Sequence, residues 1–436
     1  MALVFLAACQ TEPAQLSIQS TTVTLGQEWA ARGESVHADI KGTNLDGARV
    51  FVAGIEAAVT EINGSSLDFV VPDEAPAGAQ RVEFRLRDQV LLSSLKILGD
   101  DAVPGGIIAV LQPGMSEAEV RDLVEPLGFE LLEGPRPLGM AEGVCSGDLV
   151  RLRATGTTTG KGLHKLEVLT EEGTVMRSDP TSAYDPDTIN YLSATGAREA
   201  QLFHNLTGAG TVIAVLDTGV NPHPDLNDRL RSDLGYDFVN EDASTEDSFD
   251  NPDTLYSPDG HGTAVAVLAA GASMGVAPQA QVFPVKVCDR SGTCFSYDAI
   301  LGACYTLATT EREFGSLGNL VMNLSFGGET PSPTLDSILD YALQNGVLVA
   351  AAAGNQARAN SPAHYPAASD LPGLVAVAAL ESDSALGTSA DWHPAPFSNR
   401  GDYLDISAPG TDLLGAIPGT NFYVEYSGTS FATALV

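Results

Sequence analysis

Basic residues are scarce in this chain: 22 Lys and Arg stand against 56 Asp and Glu, giving a formal net charge of −34. A surface that acidic repels nucleic acid and anionic lipid, which excludes a polyanion as partner. Long apolar runs are missing too, and no stretch reaches the ~20 residues that a membrane span requires. Tandem repeats are absent, and the only biased tract is one acidic loop. What is present is a 436-residue chain, 44 % hydrophobic and 18 % charged. That length fits roughly two to four globular domains with sizeable cores.

Cysteine is sparse, with five residues. The first closes an apolar run, Met1-Ala-Leu-Val-Phe-Leu-Ala-Ala-Cys9, that ends in small residues like a secretory signal. No Lys or Arg precedes that run. Leu6-Ala7-Ala8-Cys9 resembles the lipobox of bacterial lipoproteins, which implies a lipid anchor at Cys9 and a secreted or envelope location. A start further upstream and an ordinary apolar terminus stay open. Cys145 stands apart, whereas Cys288, Cys294 and Cys304 cluster. Cys288 and Cys294 flank a turn-like Asp289-Arg-Ser-Gly-Thr293, which suits a disulfide in an exported protein. Three cysteines in one region leave one over, so the pairing is open, with buried free thiols as the alternative.

Four regions separate by pattern. Residues 1–13 read as a leader. Residues 14–99 carry short period-two runs broken by Gly, Asn, Asp and Pro, such as Ser35-Val-His-Ala-Asp-Ile40 and Arg81-Val-Glu-Phe-Arg-Leu86. That spacing predicts a small all-β sandwich. The string Ile40-Lys-Gly-Thr-Asn-Leu45, followed by Arg49-Val-Phe-Val52 and Phe69-Val-Val-Pro72, resembles IPT/TIG immunoglobulin-like domains. A spacer or binding module is the role this implies.

Residues 104–180 mix both periods. Gly106-Ile-Ile-Ala-Val-Leu111 predicts a strand, Ser116 with Glu119 a capping box, and Val120, Leu123, Val124 and Leu127 an amphipathic helix ended by Gly128. Strands follow at Phe129-Glu-Leu-Leu132 and Asp148-Leu-Val-Arg-Leu152. A second helix is expected on Leu163, Leu166, Val168 and Leu169, then a strand at Thr174-Val-Met-Arg177. The order β-α-β-β-α-β is ferredoxin-like.

Residues 190–436 alternate helices with near-continuous apolar runs, including Val212-Ile-Ala-Val-Leu216, Leu320-Val-Met-Asn-Leu324 and Val347-Leu-Val-Ala-Ala-Ala352. Strands buried on both faces look like this, so an α/β, doubly wound, mostly parallel sheet is expected. Such sheets bind ligands beyond the carboxyl ends of their strands.

The chemistry-bearing residues fall at those ends. Asp217 ends one run, where a partly dry carboxylate can orient an imidazole. Asp259-Gly-His261-Gly-Thr-Ala places His261 at the start of a buried helix, suited to a general base. Ser427-Gly-Thr-Ser430-Phe-Ala places a hydroxyl at another helix start, where its own N–H can face a developing oxyanion. Ala351-Ala-Ala-Gly354-Asn355 supplies an amide for the same charge. Singly, each reads equally well as a cap, a turn or a structural residue. The chain order Asp, His, Ser distinguishes the set from other serine hydrolases.

Val215-Leu-Asp-Thr-Gly219, Gly260-His-Gly-Thr263 and Gly428-Thr-Ser-Phe-Ala432 closely resemble the three signature motifs of subtilases. Asn323-Leu-Ser-Phe-Gly-Gly328 is similar to that family's substrate-binding segment. The resemblance implies a serine endopeptidase with Asp217, His261 and Ser430 as triad and Asn355 as oxyanion donor. Extended peptide would pair with backbone near Ser325, Phe326 and Gly327. It also implies that residues 104–180 form a propeptide, acting as intramolecular inhibitor of a self-processing zymogen cut between about Met176 and Thr195. Polypeptides are the expected substrates, and a monomer is the expected state.

Three departures bear on this reading. Ala264 stands where many subtilases have a second His, with little effect expected. The family's calcium loop has no counterpart after His261, so no metal or cofactor is assigned. Calcium in the acidic stretch 237–259 is the open alternative to a solvated loop. Only six residues follow Ser430, so the helix holding it is expected to be incomplete and the domain C-terminally truncated. A catalytically silent subtilase-like binding module is the competing function. An α/β-hydrolase esterase is opposed by the chain order and by the lack of Gly-x-Ser-x-Gly around Ser430.

Overall fold

A computed structural model describes residues 22–25, 29–30, 32–33, 35–41, 45, 47–75, 78–86, 90–97, 102–140, 143–154, 164–171, 174–176, 190–247, 260–290, 292–357, 361–382 and 392–436. The leader with Cys9, Asp259 and residues 177–189 lie outside them. The chain forms two compact units, one of residues 1–75 and 79–96, the other of residues 76–78 and 97–436.

The first unit is all-β. Its strands are β1 (Thr22–Leu25), β2 (Trp29–Ala30), β3 (Ser35–Lys41), β4 (Arg49–Val52), β5 (Ile55–Asn63), β6 (Ser66–Val70), β7 (Gly78–Arg85) and β8 (Val90–Ile97). They join in the order β1-β3-β6-β5-β4-β7-β8-β2. Val36, Ala38 and Ile40 are buried at alternate positions of β3, as the period-two pattern requires. Phe69 on β6 and Phe84 on β7 meet edge to face at 5.8 Å although two strands separate them in the sheet. The sheet therefore folds over its own core.

The second unit begins with β9 (Ala102–Leu111), α1 (Glu117–Val124), β10 (Phe129–Pro137), β11 (Asp148–Ala154), β12 (His164–Glu171) and β13 (Thr174–Met176). Helix α1 starts at the expected capping box, with Ser116 and Glu119 bonded reciprocally, and Gly128 follows it in the left-handed conformation. The second expected helix does not form. Leu166, Val168 and Leu169 lie in β12, which pairs antiparallel with β9. Leu166 and Val168 also satisfy a period of two, and tertiary pairing decides between the two readings. The described order is thus β-α-β-β-β-β rather than ferredoxin-like.

Next come α2 (Asn190–Ala194), α3 (Ala197–His204), β14 (Val212–Asp217), β15 (Tyr236–Asp237), α4 (His261–Ala270), β16 (Gln281–Lys286), β17 (Thr293–Phe295), α5 (Ser296–Phe314) and β18 (Leu320–Leu324). The chain continues through β19 (Phe326–Gly327), α6 (Pro333–Gln344), β20 (Leu348–Ala352), β21 (Leu374–Ser382), β22 (Trp392–Pro394), β23 (Ile406–Pro409), β24 (Leu413–Ala416), β25 (Tyr423–Ser427) and α7 (Thr429–Ala434). The central sheet runs β15-β16-β14-β18-β20-β21-β22, with β23 also on β21. It is parallel except for β22, as the doubly wound expectation requires. Along β14 the faces alternate: Val212, Ala214 and Leu216 join the core under α5 and α6. Ile213 and Val215 join the core under α4 and α7. Both faces are covered, which accounts for the unbroken apolar runs.

The two layers of this unit are stitched together. Ile108, Leu138 and Leu149 share one core with Tyr297, Ile300 and Leu307 of α5. Tyr297 donates its hydroxyl to the Leu149 carbonyl at 3.3 Å. Cys288 and Cys294 are bonded, as their turn suggested. The cysteine left over is not free: Cys304 on α5 is bonded to Cys145, 159 residues away.

Candidate active site

In-register parallel pairing brings three strand ends side by side. Leu216 of β14 lies opposite Leu324 of β18, and Leu324 opposite Ala351 of β20. Asp217, Ser325 and the turn at Gly354-Asn355 therefore share one edge by construction. Helices α4 and α7 deliver His261 and Ser430 to that edge from one face of the sheet.

Asp217 and His261 meet there. His261 Nδ1 lies 2.8 Å from Asp217 Oδ1, with both side chains at most 2 % exposed. The same carboxylate oxygen accepts from the backbone N–H of Thr218 at 2.7 Å and lies 3.2 Å from its hydroxyl oxygen. Burial pushes the Asp217 pKa up, against the pull of the Thr218 N–H, and the neighbouring Asp247 carboxylate adds to the rise. Gly262 explains why no larger residue follows His261. A Cβ there would sit 2.2 Å from the Gly219 carbonyl and 2.9 Å from Asp217 Oδ1.

Ser430 is fully buried. Its hydroxyl donates to the Ser325 carbonyl at 3.0 Å, and the Ser325 hydroxyl donates back to the Ser430 carbonyl at 2.9 Å. Asn323 Nδ2 in turn donates to Ser325 Oγ at 2.7 Å. The next side chain, Phe431, places its ring 4.9 Å from that of His261. Asn355 Oδ1 accepts from the Thr429 N–H at 2.9 Å. A backbone N–H can only donate, so this bond fixes which end of the amide is oxygen and leaves its NH2 as the outward donor.

Predicted substrate-binding residues Phe326 and Gly327 form β19, and another part of the chain already covers them. Glu171 pairs antiparallel with Phe326 and Thr170 with Gly327. On its other edge the same end of β12 pairs with Phe295, Cys294 and Thr293 of β17. Thr174 of β13 then pairs with Ser427, three residues before Ser430.

Several buried polar residues around these positions carry no motif. Asp247, in the stretch expected as a solvated loop, is buried at the centre of the site. It accepts from Thr218 Oγ1 at 2.9 Å, Thr263 N at 3.0 Å and Thr263 Oγ1 at 2.8 Å. Burial pushes its pKa up to about 6 against those bonds. Buried Lys286 donates to the carbonyls of Thr218 and Glu246, the latter at 3.2 Å. It puts one cation beside two carboxylates. Only the Asp-Thr-Gly and His-Gly-Thr strings hinted at these partners, through the hydroxyls of Thr218 and Thr263. His364 is buried against Gly327 and Gly354, and burial pushes its pKa down to about 4.

A model of the subtilase family matches residues 208–436, just over half of the chain. The chain belongs to the subtilase family. Its kin are subtilisin-like serine endopeptidases. Subtilisin BL of Lederbergia lenta is 37% identical over 242 residues, 54% of this chain and 77% of that protein. M-protease of Shouchella clausii is 34% identical over 284 residues, 62% of this chain and 65% of its own. Subtilisin E of Bacillus subtilis is 32% identical over 274 residues, and the match covers 64% of it. The chain thus spans slightly under two thirds of the last two. Among solved structures, a cold-adapted subtilisin-like serine proteinase aligns at 31% identity over 53% of this chain and 74% of that one, with a TM-score of 0.40.

Within the family pattern, Ala264 has a packing reason. A Cβ on Gly415 of β24 would approach the Ala264 Cβ to 2.6 Å, so the small residues at 264 and 415 pack closely against each other. Among the described residues no group of His, Cys, Asp and Glu is arranged to hold a metal. In the acidic stretch, Asp237 accepts from Val239 N, Asn240 N and Asn240 Nδ2, and Asp242 from Ser244 N. These carboxylates, like Asp247, are spent on protein donors; residues 248–259 lie outside the described residues.

Proposed function

We propose that this subtilase is an exported serine endopeptidase made as a self-inhibited precursor, with Asp217, His261 and Ser430 as its triad. The buried Asp217–His261 pair beside Ser430 carries the reading. A carboxylate can only accept, so His261 Nδ1 carries the proton and Nε2 is the basic end. In the reaction the Ser430 hydroxyl leaves the Ser325 carbonyl, to which it donates at 3.0 Å, and turns to that nitrogen. His261 takes the proton as Oγ attacks the scissile carbonyl. The Asn355 NH2 and the Ser430 N–H stabilise the oxyanion. The imidazolium, held by Asp217, protonates the leaving amine, and water activated by His261 releases the acyl enzyme.

Polypeptide substrates enter by adding a strand to Ser325, Phe326 and Gly327. In the precursor β12 takes that place, which supports residues 104–180 as propeptide and intramolecular inhibitor. Two disulfides suit an oxidising compartment outside the cytosol. No described helix is long and apolar enough to cross a membrane, so attachment to the envelope rests on Cys9. The all-β first unit serves as an IPT/TIG-like spacer or binding module.

Treatment with a fluorophosphonate probe tests the assignment. A covalent adduct on Ser430 of the processed protein, lost in Ser430→Ala together with peptide hydrolysis, is expected. A processed protein that takes no adduct and cleaves no peptide favours the silent binding module.

A further inference from the structure

The precursor reading leaves one covalent link unexplained. Cys145 sits in the connection between β10 and β11, inside the segment assigned as propeptide. Cys304 sits within α5, inside the peptidase. The two are joined, and both are fully buried. Any cut between Cys145 and Cys304 therefore yields two polypeptides that remain one molecule. The second disulfide, Cys288–Cys294, lies wholly on the peptidase side and links nothing across such a cut.

We propose that processing does not free this enzyme: the cleaved propeptide stays covalently attached through Cys145–Cys304, and its release requires reduction of that bond. The inference rests on the precursor reading above. Non-covalent contacts hold the same interface. They include the Tyr297–Leu149 hydrogen bond, Arg136 at 3.9 Å from Asp298, and the Arg151 guanidinium 5.0 Å from the Phe295 ring centre. A tethered inhibitor competes at a fixed local concentration, on the order of millimolar for a short link, so dilution does not remove it. The releasing step balances as thiol–disulfide exchange. A dithiol reductant attacks one sulfur, its second thiol resolves the mixed disulfide, and the reductant leaves as its own disulfide. Cys145 and Cys304 are left as thiols. Their burial restricts attack to moments when the β10–β11 connection lifts from α5. Activation is thereby tied to the redox state of the surroundings as well as to the cut.

The full chain, purified without reductant after processing, is run on denaturing gels with and without dithiothreitol. The two fragments are expected to migrate together without it and apart with it. Hydrolysis of a soluble peptide is expected to rise at least tenfold when dithiothreitol is added to the dilute processed protein. Cys145→Ala should give fragments that part without reductant, and Cys288→Ala fragments that stay joined. Fragments of the wild type that part without reductant overturn the tether and leave the precursor reading standing. A wild-type chain that is never cut overturns both.

Discussion

Thr218 donates its hydroxyl to Asp247 across 29 residues of chain, and Asp247 in turn accepts from Thr263, two residues beyond His261. One buried carboxylate thus ties the loop after Asp217 to the helix of His261, the two residues proposed for the triad. Through these bonds Asp247 is expected to act as a positioning residue. Asp247→Ala should lower kcat by about 10²-fold, since a misplacement near 1 Å costs that much, with KM little changed. Because its pKa is raised to about 6, protonation as pH falls through 6 removes acceptor capacity at the site. The acid limb of the pH–rate profile should therefore be steeper in the wild type than in Asp247→Asn. Equal slopes would remove Asp247 from the positioning role.

Gly262 is a steric prediction. Its missing Cβ leaves room for the Gly219 carbonyl and Asp217 Oδ1. Gly262→Ala must push the Asp217 loop away from His261, and a loss of about 10²-fold or more in kcat is expected. Circular dichroism and the melting temperature of the variant separate this from failure to fold. A folded Ala variant with unchanged turnover contradicts the geometry.

How far the sequence disclosed these arrangements depends on how far apart the partners are. That Asp217 and Asn355 would share a sheet edge was legible because each stands in a short motif at the end of an apolar run, and parallel register aligns such ends; His261 and Ser430 were legible as helix starts. Asp247 stands in a polar stretch with no period, and its burial depends on hydroxyls from Thr218 and Thr263 that only the fold gathers. β12 was misread because Leu166, Val168 and Leu169 fit both a helix and a strand, and the edges of β9 and β17 settle the matter. The Cys145–Cys304 bond had no local signal at all. It forms because the β10–β11 connection docks on α5.

Asp298, in the first turn of α5, has its pKa raised to about 7, by burial first and then by the Glu133 carboxylate, despite Arg136 at 3.9 Å. A carboxyl whose folded pKa exceeds its unfolded value of 3.8 stabilises most when protonated. Its contribution is complete below about pH 4 and is lost as pH rises through 7. At about 1.4 kcal/mol per unit, the loss reaches roughly 4 kcal/mol at most. Asp298→Asn should match the wild type in melting temperature at pH 4 and exceed it by several degrees at pH 8. Thermal unfolding of both proteins across that range decides it, and a difference that stays flat with pH excludes the titration.

The last prediction concerns where the precursor is cut. Residues 177–189 lie outside the described residues, and the motif pattern alone pointed to a bond between about Met176 and Thr195. Backbone register points upstream of that. Glu171 is the last residue paired on Phe326, and Thr174 is the first paired on Ser427. A peptide that adds a strand to the substrate segment places its scissile bond just past the last paired residue, where the nucleophile waits. Only two residues separate the pairing before Ser430 from the pairing beside it. The first product should therefore begin at residue 172, 173 or 174, read by intact mass and N-terminal sequencing of the newly cut protein. Ser430→Ala should remain whole. A first product beginning at 177 or later would mean that β12 is a docking strand alone and does not present the bond that is cut.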